Sequence, residues 1–119
     1  MNLKVYIYDK CSTCRKALKL LKQHKVAFTK IPIRETPPSK AEIKRMLTIQ
    51  DGNLRNLFNT SGMDYRQLGI KDQLAIMADR TAIELLASNG NLIKRPFAIS
   101  KSSGMVGFKE AEWKEKLNL

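Results

Sequence analysis

The sequence is poor in cysteine, histidine and aromatic residues: its 119 residues include two cysteines, one histidine and 7% aromatic side chains. Two cysteines cannot build the disulfide framework of a small secreted domain. A structural zinc site needs four ligands, which so few soft donors do not supply. We therefore predict no metal and no organic cofactor. The few aromatic residues also do not suggest a base-stacking platform, so we expect no direct DNA binding.

Long hydrophobic runs are also missing. A membrane span needs about 20 consecutive apolar residues, and the apolar runs here are far shorter. The chain opens on a strand-like pattern and not on a secretory signal, so we expect a cytoplasmic monomer of one domain with no membrane contact. In that compartment an isolated cysteine pair is more often catalytic, redox-sensing or metal-binding than structural.

Acidic residues are scarce beside basic ones, 11 against 22, which gives a formal net charge of +11. The basic residues are dispersed along the chain and form no long block of like charge. This pattern favours a solvated basic surface. Attraction to an acidic partner, an anionic substrate or nucleic acid is the alternative.

The feature that carries chemistry is the motif Cys11-Ser12-Thr13-Cys14, which is followed by Arg15 and joins a predicted strand to a predicted helix. A helix N-terminus favours a thiolate over a thiol, and the neighbouring Arg15 acts in the same direction. We predict that Cys11 is a nucleophile and that Cys14, one turn into the helix, is a resolving thiol. The hydroxyl groups of Ser12 and Thr13 could support a bound anion or serve as turn and capping groups. The alternative is a pair of buried small hydrophobes.

Hydrophobic periodicity predicts an α/β protein. The predicted elements are a strand at 3–8, a helix at 12–25, a strand at 27–33, a mostly helical segment to residue 89, strands at 97–99 and 105–108, and a helix at 109–117. Within the helical segment we predict a helix opened by a Ser39–Glu42 capping box, short helices at 54–58 and 65–68, and a long helix at 71–88. The order β-α-β, helices, β-β-α is that of a thioredoxin-like core (1–34 and 90–119) with a helical insertion (35–89).

A second part of the candidate site is Arg95-Pro96, just before the predicted strand at 97–99. In a thioredoxin-like core a proline at this point is typically cis and lies against the cysteine loop. Arg95 would then reach the Cys11 sulfur and lower its pKa, or hold an oxyanion. The alternative is an ordinary edge proline beside an exposed arginine. We add Arg55 as a further candidate anion partner.

Several segments together resemble the ArsC/Spx family. They are YDKCSTCRK at 8–16, ETPP at 35–38, residues 54–58 followed by YRQLG at 65–69, KRP at 94–96 and VGF at 106–108. The resemblance covers nearly the whole chain and implies a thioredoxin-like (glutaredoxin-like) mixed sheet with a helical insertion. The family contains glutaredoxin-coupled arsenate reductases, Spx/MgsR-type transcription regulators and small YffB-like proteins that resemble reductases.

The resemblance to arsenate reductases is incomplete at the anion site. Those enzymes place three arginines around the oxyanion beside one catalytic cysteine. Cys11 matches the cysteine and Arg95 matches one arginine. Asn59 stands where the second is expected, with Arg55 one turn earlier, and the third position falls near Gly107. A multiply charged oxyanion needs matched donors, so arsenate binding is in doubt.

Two functions follow from the resemblance. The first is a cytosolic thiol-dependent reductase in which Cys11 attacks, Arg95 stabilises the anion and Cys14 resolves the intermediate. Glutathione, glutaredoxin or thioredoxin would supply the electrons. The alternative is an Spx-like redox switch, in which the cysteine pair controls contact with the C-terminal domain of the RNA polymerase alpha subunit. Gly52 matches a glycine at that contact surface.

Overall fold

A computed structural model of the chain describes residues 2–119. Four strands form one mixed sheet in the order β2-β1-β3-β4; they are β1 (Leu3–Ile7), β2 (Phe28–Pro32), β3 (Phe97–Ile99) and β4 (Gly104–Val106). β1 is parallel to β2 and antiparallel to β3, and β3 is antiparallel to β4. The helices are α1 (Ser12–Gln23), α2 (Lys40–Ile49), α3 (Met63–Gln67), α4 (Ile70–Gln73), α5 (Asp79–Ser88) and α6 (Glu110–Leu117). The predicted α/β, thioredoxin-like class is confirmed.

The chain divides into two compact units. The sheet unit contains the chain up to Pro32 together with Arg95–Leu119, and the helical unit is Ile33–Lys94. All four strands, α1 and α6 belong to the sheet unit, and so do both cysteines. Short 3-10 turns at Leu54–Leu57 and Gly90–Leu92 belong to the helical unit along with α2 to α5.

The core of the sheet unit follows from the alternation in β1 and the apolar stripe of α1. Leu3, Val5 and Ile7 are buried in one cluster with Cys14 and Trp113. Burying several such side chains, at about 1.5 to 3 kcal/mol each, is the main term that holds helix and sheet together. Since Cys14 is part of this core, the second cysteine of the motif is fixed by packing as well as by the helix.

Gly107 directly follows β4. Its two backbone groups form hydrogen bonds to Pro96, the residue before β3, and to Trp113 in α6. Its φ of +72° is a left-handed conformation that suits glycine. Its N–H donates to the Pro96 carbonyl at 2.9 Å, and its carbonyl accepts from Trp113 Nε1 at 3.1 Å. The strand therefore stops at Val106, and the predicted strand over 105–108 was two residues too long at this end.

In the helical unit the expected capping box is present. Ser39 Oγ accepts from the Glu42 N–H at 3.1 Å, and the Glu42 carboxylate accepts from the Ser39 N–H at 3.0 Å. Two backbone donors at the start of α2 are thereby satisfied. The helix turns its apolar stripe inward and buries Ile43, Met46 and Leu47.

The predicted single helix over residues 71–88 is wrong. α4 ends at Gln73 and α5 begins at Asp79. Ala78, inside the predicted helix, is the exposed N-cap residue of α5, and Ile76 is 87% exposed. Residues 74–78, between the two helices, are mostly good helix formers. They nevertheless do not join α4 and α5 into one helix, because helix propensity is weak and tertiary packing overrides it. Asp79, in the first turn of α5, interacts favourably with the positive end of the new helix dipole.

No helix within residues 2–119 is long and apolar enough to cross a membrane.

The Trp113–Gly107 hydrogen bond allows a test of this core. We expect Trp113→Phe to lower the free energy of unfolding by about 2 to 4 kcal/mol, because it leaves the Gly107 carbonyl without its donor and opens a cavity. Phe108→Leu is the control, because Phe108 packs on Trp113 with ring centroids 5.3 Å apart without taking part in that bond. We expect Phe108→Leu to lower the free energy of unfolding by less than about 1.5 kcal/mol. Urea unfolding followed by circular dichroism measures both, and equal losses would contradict the role of the hydrogen bond.

Candidate functional site

Cys11 is the N-cap residue of α1 and its sulfur takes the place of the usual capping oxygen. The backbone at Cys11 is extended, with φ −93° and ψ 115°, and its N–H donates to the Tyr8 carbonyl at 3.0 Å. Cys11 Sγ accepts a hydrogen bond from the Cys14 N–H at 3.4 Å. The end of β1 and the start of α1 thus hold the sulfur where unpaired helix N–H groups converge.

The environment of Cys11 favours its thiolate. Partial burial by itself raises the pKa of the Cys11 thiol, but opposing interactions outweigh it and the pKa lies below its ordinary value. These are the hydrogen bond from the Cys14 N–H, the hydrogen bond from the Cys14 side chain, and the hydrogen bond and positive charge of Arg95. The sequence-based expectation that Arg95 reaches the Cys11 sulfur is consistent with this set of interactions.

Arg95 is held against the cysteine loop by an aromatic ring. Its Cζ lies 4.8 Å from the centroid of the Tyr8 ring, a distance at which a guanidinium is attracted to the ring face. The next peptide bond, Arg95–Pro96, is cis as expected. Pro96 is buried, and its carbonyl accepts from Gly107. Sequence reasoning missed Tyr8, because nothing in a strand-end tyrosine signals that a residue 87 positions later will lie on its ring.

Cys14 behaves in the opposite way. Its side chain is fully buried, and burial raises the pKa of the Cys14 thiol to about 12, with the neighbouring Cys11 sulfur acting in the same direction. A backbone hydrogen bond at Tyr8 and the charge of Arg95 oppose the shift without reversing it. Both cysteines are free thiols in this structure. One half-buried sulfur whose pKa is lowered therefore lies beside one buried sulfur whose pKa is raised.

The other predicted residues of the loop lie close to Cys11 in less specialised settings. Ser12 is exposed and Thr13 is half-buried in the first turn of α1. Arg15 is exposed, and its Nε donates to the Asp9 carbonyl at 3.2 Å, so it fixes the loop backbone from outside. The predicted roles of these residues toward an anion stay predictions.

Arg55 belongs to the helical unit and not to the unit that holds the cysteines. It lines a cleft of about 490 Å³ together with residues that include Gly52, Tyr65 and Lys71. Asn59 is also in the helical unit, where its N–H donates to the Leu92 carbonyl at 2.8 Å. Within residues 2–119 no group of three His, Cys, Asp or Glu side chains could hold a metal ion.

The model of the ArsC family matches residues 6–116. The chain is 46% identical over 115 residues to the uncharacterized protein YusI of Bacillus subtilis, covering 97% of this chain and 98% of YusI. It is 28% identical to the global transcriptional regulator Spx of Streptococcus agalactiae, covering 91% of this chain and 77% of Spx. A possible arsenate reductase from Streptococcus mutans has a crystal structure with a TM-score of 0.89 and 38% identity, covering 98% of each chain.

The effect of Arg95 on the pKa of Cys11 predicts how the thiol titrates. Arg95→Gln removes the charge and should raise the pKa of Cys11, because the thiolate loses its cationic partner. The rate of alkylation by iodoacetamide follows the thiolate fraction, so its midpoint should move to higher pH.

Arg15→Gln is the matched control, since it removes an equal charge next to the motif while Arg15 makes its hydrogen bond to Asp9 and not to the sulfur. Its midpoint should stay close to that of the wild type. A shift of equal size in both variants would show that general positive charge, and not the Arg95 contact, lowers the pKa.

Proposed function

The chain belongs to the ArsC family, and we propose that it is a thiol-dependent reductase in which the Cys11 thiolate is the nucleophile and Cys14 the resolving thiol. One observation carries the proposal: the two thiols of a single helical turn have pKa values shifted in opposite directions. A lowered pKa makes Cys11 a thiolate at lower pH, and a raised pKa keeps Cys14 protonated until it is needed.

The reaction balances with these two residues and an external thiol. With arsenate, the Cys11 thiolate bonds to arsenic and one oxygen leaves as water. Cys14 then attacks the Cys11 sulfur and gives its proton to an arsenic-bound oxygen. The sulfur–arsenic bond breaks with its electron pair remaining on arsenic, so arsenate becomes arsenite and the two cysteines become a disulfide. Glutathione with glutaredoxin, or thioredoxin, returns two electrons and two protons to the pair.

Arg95 would stabilise the negative charge of both the thiolate and the bound anion. Near the third expected arginine position, Gly107 offers no side chain; its N–H already donates to the Pro96 carbonyl and its carbonyl already accepts from the Trp113 side chain. We therefore expect this chain to bind arsenate weakly, with a higher KM than enzymes that surround the anion with three arginines.

Arsenate reduction by the purified protein, with each thiol donor in turn, tests the proposal. We expect turnover by the wild type and none by Cys11→Ser. Cys14→Ser should keep turnover with glutathione alone, because an external thiol must then attack the sulfur of Cys11, and should lose it with thioredoxin. The proposal fails if the wild type is inactive with every donor, or if Cys11→Ser is as active as the wild type.

A second candidate function is an Spx-like redox switch that contacts the RNA polymerase alpha subunit. Two observations favour it: the likeness to Spx extends over 91% of the chain, and Gly52 lies at an exposed turn where an added Cβ would meet no atom within 4 Å. A surface that leaves a glycine this open has room for a partner.

A pull-down with the C-terminal domain of the alpha subunit, under reducing and oxidising conditions, separates the two candidates. A switch predicts binding that changes with the redox state in the wild type. The Cys11→Ser, Cys14→Ser double variant should bind equally in both conditions. Lack of binding in both states would reject the switch and leave the reductase as the proposed function.

A further inference from the structure

One side of α1, running along the helix away from Cys11, carries positively charged side chains and no negatively charged ones. Arg15, Lys16, Lys19 and Lys22 are all exposed, and the helix contains no acidic residue. At about 100° per residue these four side chains occupy one side of the helix, opposite the buried residues. We call these four residues the basic face.

The lysines of the basic face are not paired with acidic side chains in the part of the chain that the structure describes. Lys16, Lys19 and Lys22 form no ion pair with any of residues 2–119. Glu110 lines a shallow concavity with Lys16 and Lys19, but its carboxylate lies 3.7 Å from Lys114 Nζ. Positive potential therefore extends along α1 from the reactive sulfur.

The same face is not purely polar. A concavity of about 410 Å³ is lined by Leu18, Gln23 and three members of the basic face, Arg15, Lys19 and Lys22. Leu18 is half-buried, and the aliphatic stems of the lysines extend the apolar floor. An apolar floor with a charged rim is the composition of a transient protein contact.

We propose that the basic face docks an acidic dithiol protein that reduces the Cys11–Cys14 disulfide. This inference rests on the proposed function. Lys22 lies about 16 Å along the helix from Cys11, beyond the roughly 10 Å over which exposed charges act in salt solution. A small oxyanion at the sulfur cannot use that charge, whereas a protein covering about 800 Å² on each side can.

The exposure of the two sulfurs fixes the direction of the exchange. A thiolate of the partner attacks Cys11 Sγ, which is the accessible sulfur, and Cys14 leaves and takes up a proton. The second thiol of the partner, as a thiolate, then attacks the partner's first sulfur in the mixed disulfide, and Cys11 leaves as a thiolate. Two electrons pass to this chain, and the partner is left as a disulfide.

The test compares two reductants on the oxidised protein: a purified thioredoxin of net negative charge and dithiothreitol. We expect the wild-type rate with thioredoxin to fall as salt is added, because screening removes the electrostatic steering. The variant Lys16→Glu, Lys19→Glu, Lys22→Glu should react about tenfold or more slowly with thioredoxin at low salt. Its rate with dithiothreitol should stay within about twofold of the wild type, since the thiolate of a small dithiol contacts only the region of the sulfur and needs no docking surface.

The matched control is Lys40→Glu, Lys44→Glu, Lys101→Glu, which changes the net charge equally at exposed positions outside α1. It should slow thioredoxin by less than about threefold. Circular dichroism checks that both variants fold.

Equal slowing by both variants, or an unchanged thioredoxin rate in the α1 variant, would overturn the docking proposal. So would DNA binding that depends on the same three lysines while the reduction rate is unaffected, because the face would then serve nucleic acid. The dithiothreitol arm is independent of docking: if the pair forms no disulfide, or dithiothreitol cannot reduce it, the proposed function itself fails.

Discussion

The site depends on one hydrogen bond, from the Cys14 N–H to Cys11 Sγ at 3.4 Å. It starts α1 and it also stabilises the charge on the sulfur. Sulfur is a weak acceptor when neutral and a much better one as a thiolate, so the quality of the helix cap and the ionisation of Cys11 rise together. The disulfide of the proposed function would remove that charge. The first turn of α1 would then be the part of the helix whose stability changes with the redox state of the pair.

Burial explains how two thiols in one turn acquire opposite properties. Cys14 lies in the same core cluster as Leu3 and Trp113, where loss of hydration penalises a thiolate. Cys11 packs against the edge of this cluster and has Arg95 within reach, so the penalty it pays for partial burial is outweighed. A helix terminus alone would have lowered both pKa values. The step from edge to core within three residues separates a thiol whose pKa is lowered from a thiol whose pKa is raised.

Much of the fold could be predicted because its signals are local. The alternation of β1, the stripe of α1, the Ser39–Glu42 capping box and the proline at the start of β3 each depend on a few adjacent residues. The break between α4 and α5 could not be predicted this way, since residues 74–78 are mostly good helix formers and nothing in their pattern marks the exposed turn that carries Ile76. The same holds for Tyr8 under Arg95, a contact between distant parts of the chain.

The backbone at Gly107 limits whether this site can hold a further arginine for an oxyanion. Its φ of +72° would cost an L-residue about 1 to 2 kcal/mol, and both of its backbone groups already hold Pro96 and Trp113 in place. An arginine introduced there would strain the turn that positions the residue after Arg95. Recovering a third cation near this position therefore requires rebuilding the end of β4, and not a single substitution. Thiol–disulfide exchange needs no such cation, because its charge lies on sulfur, where Arg95 and the start of α1 already stabilise it.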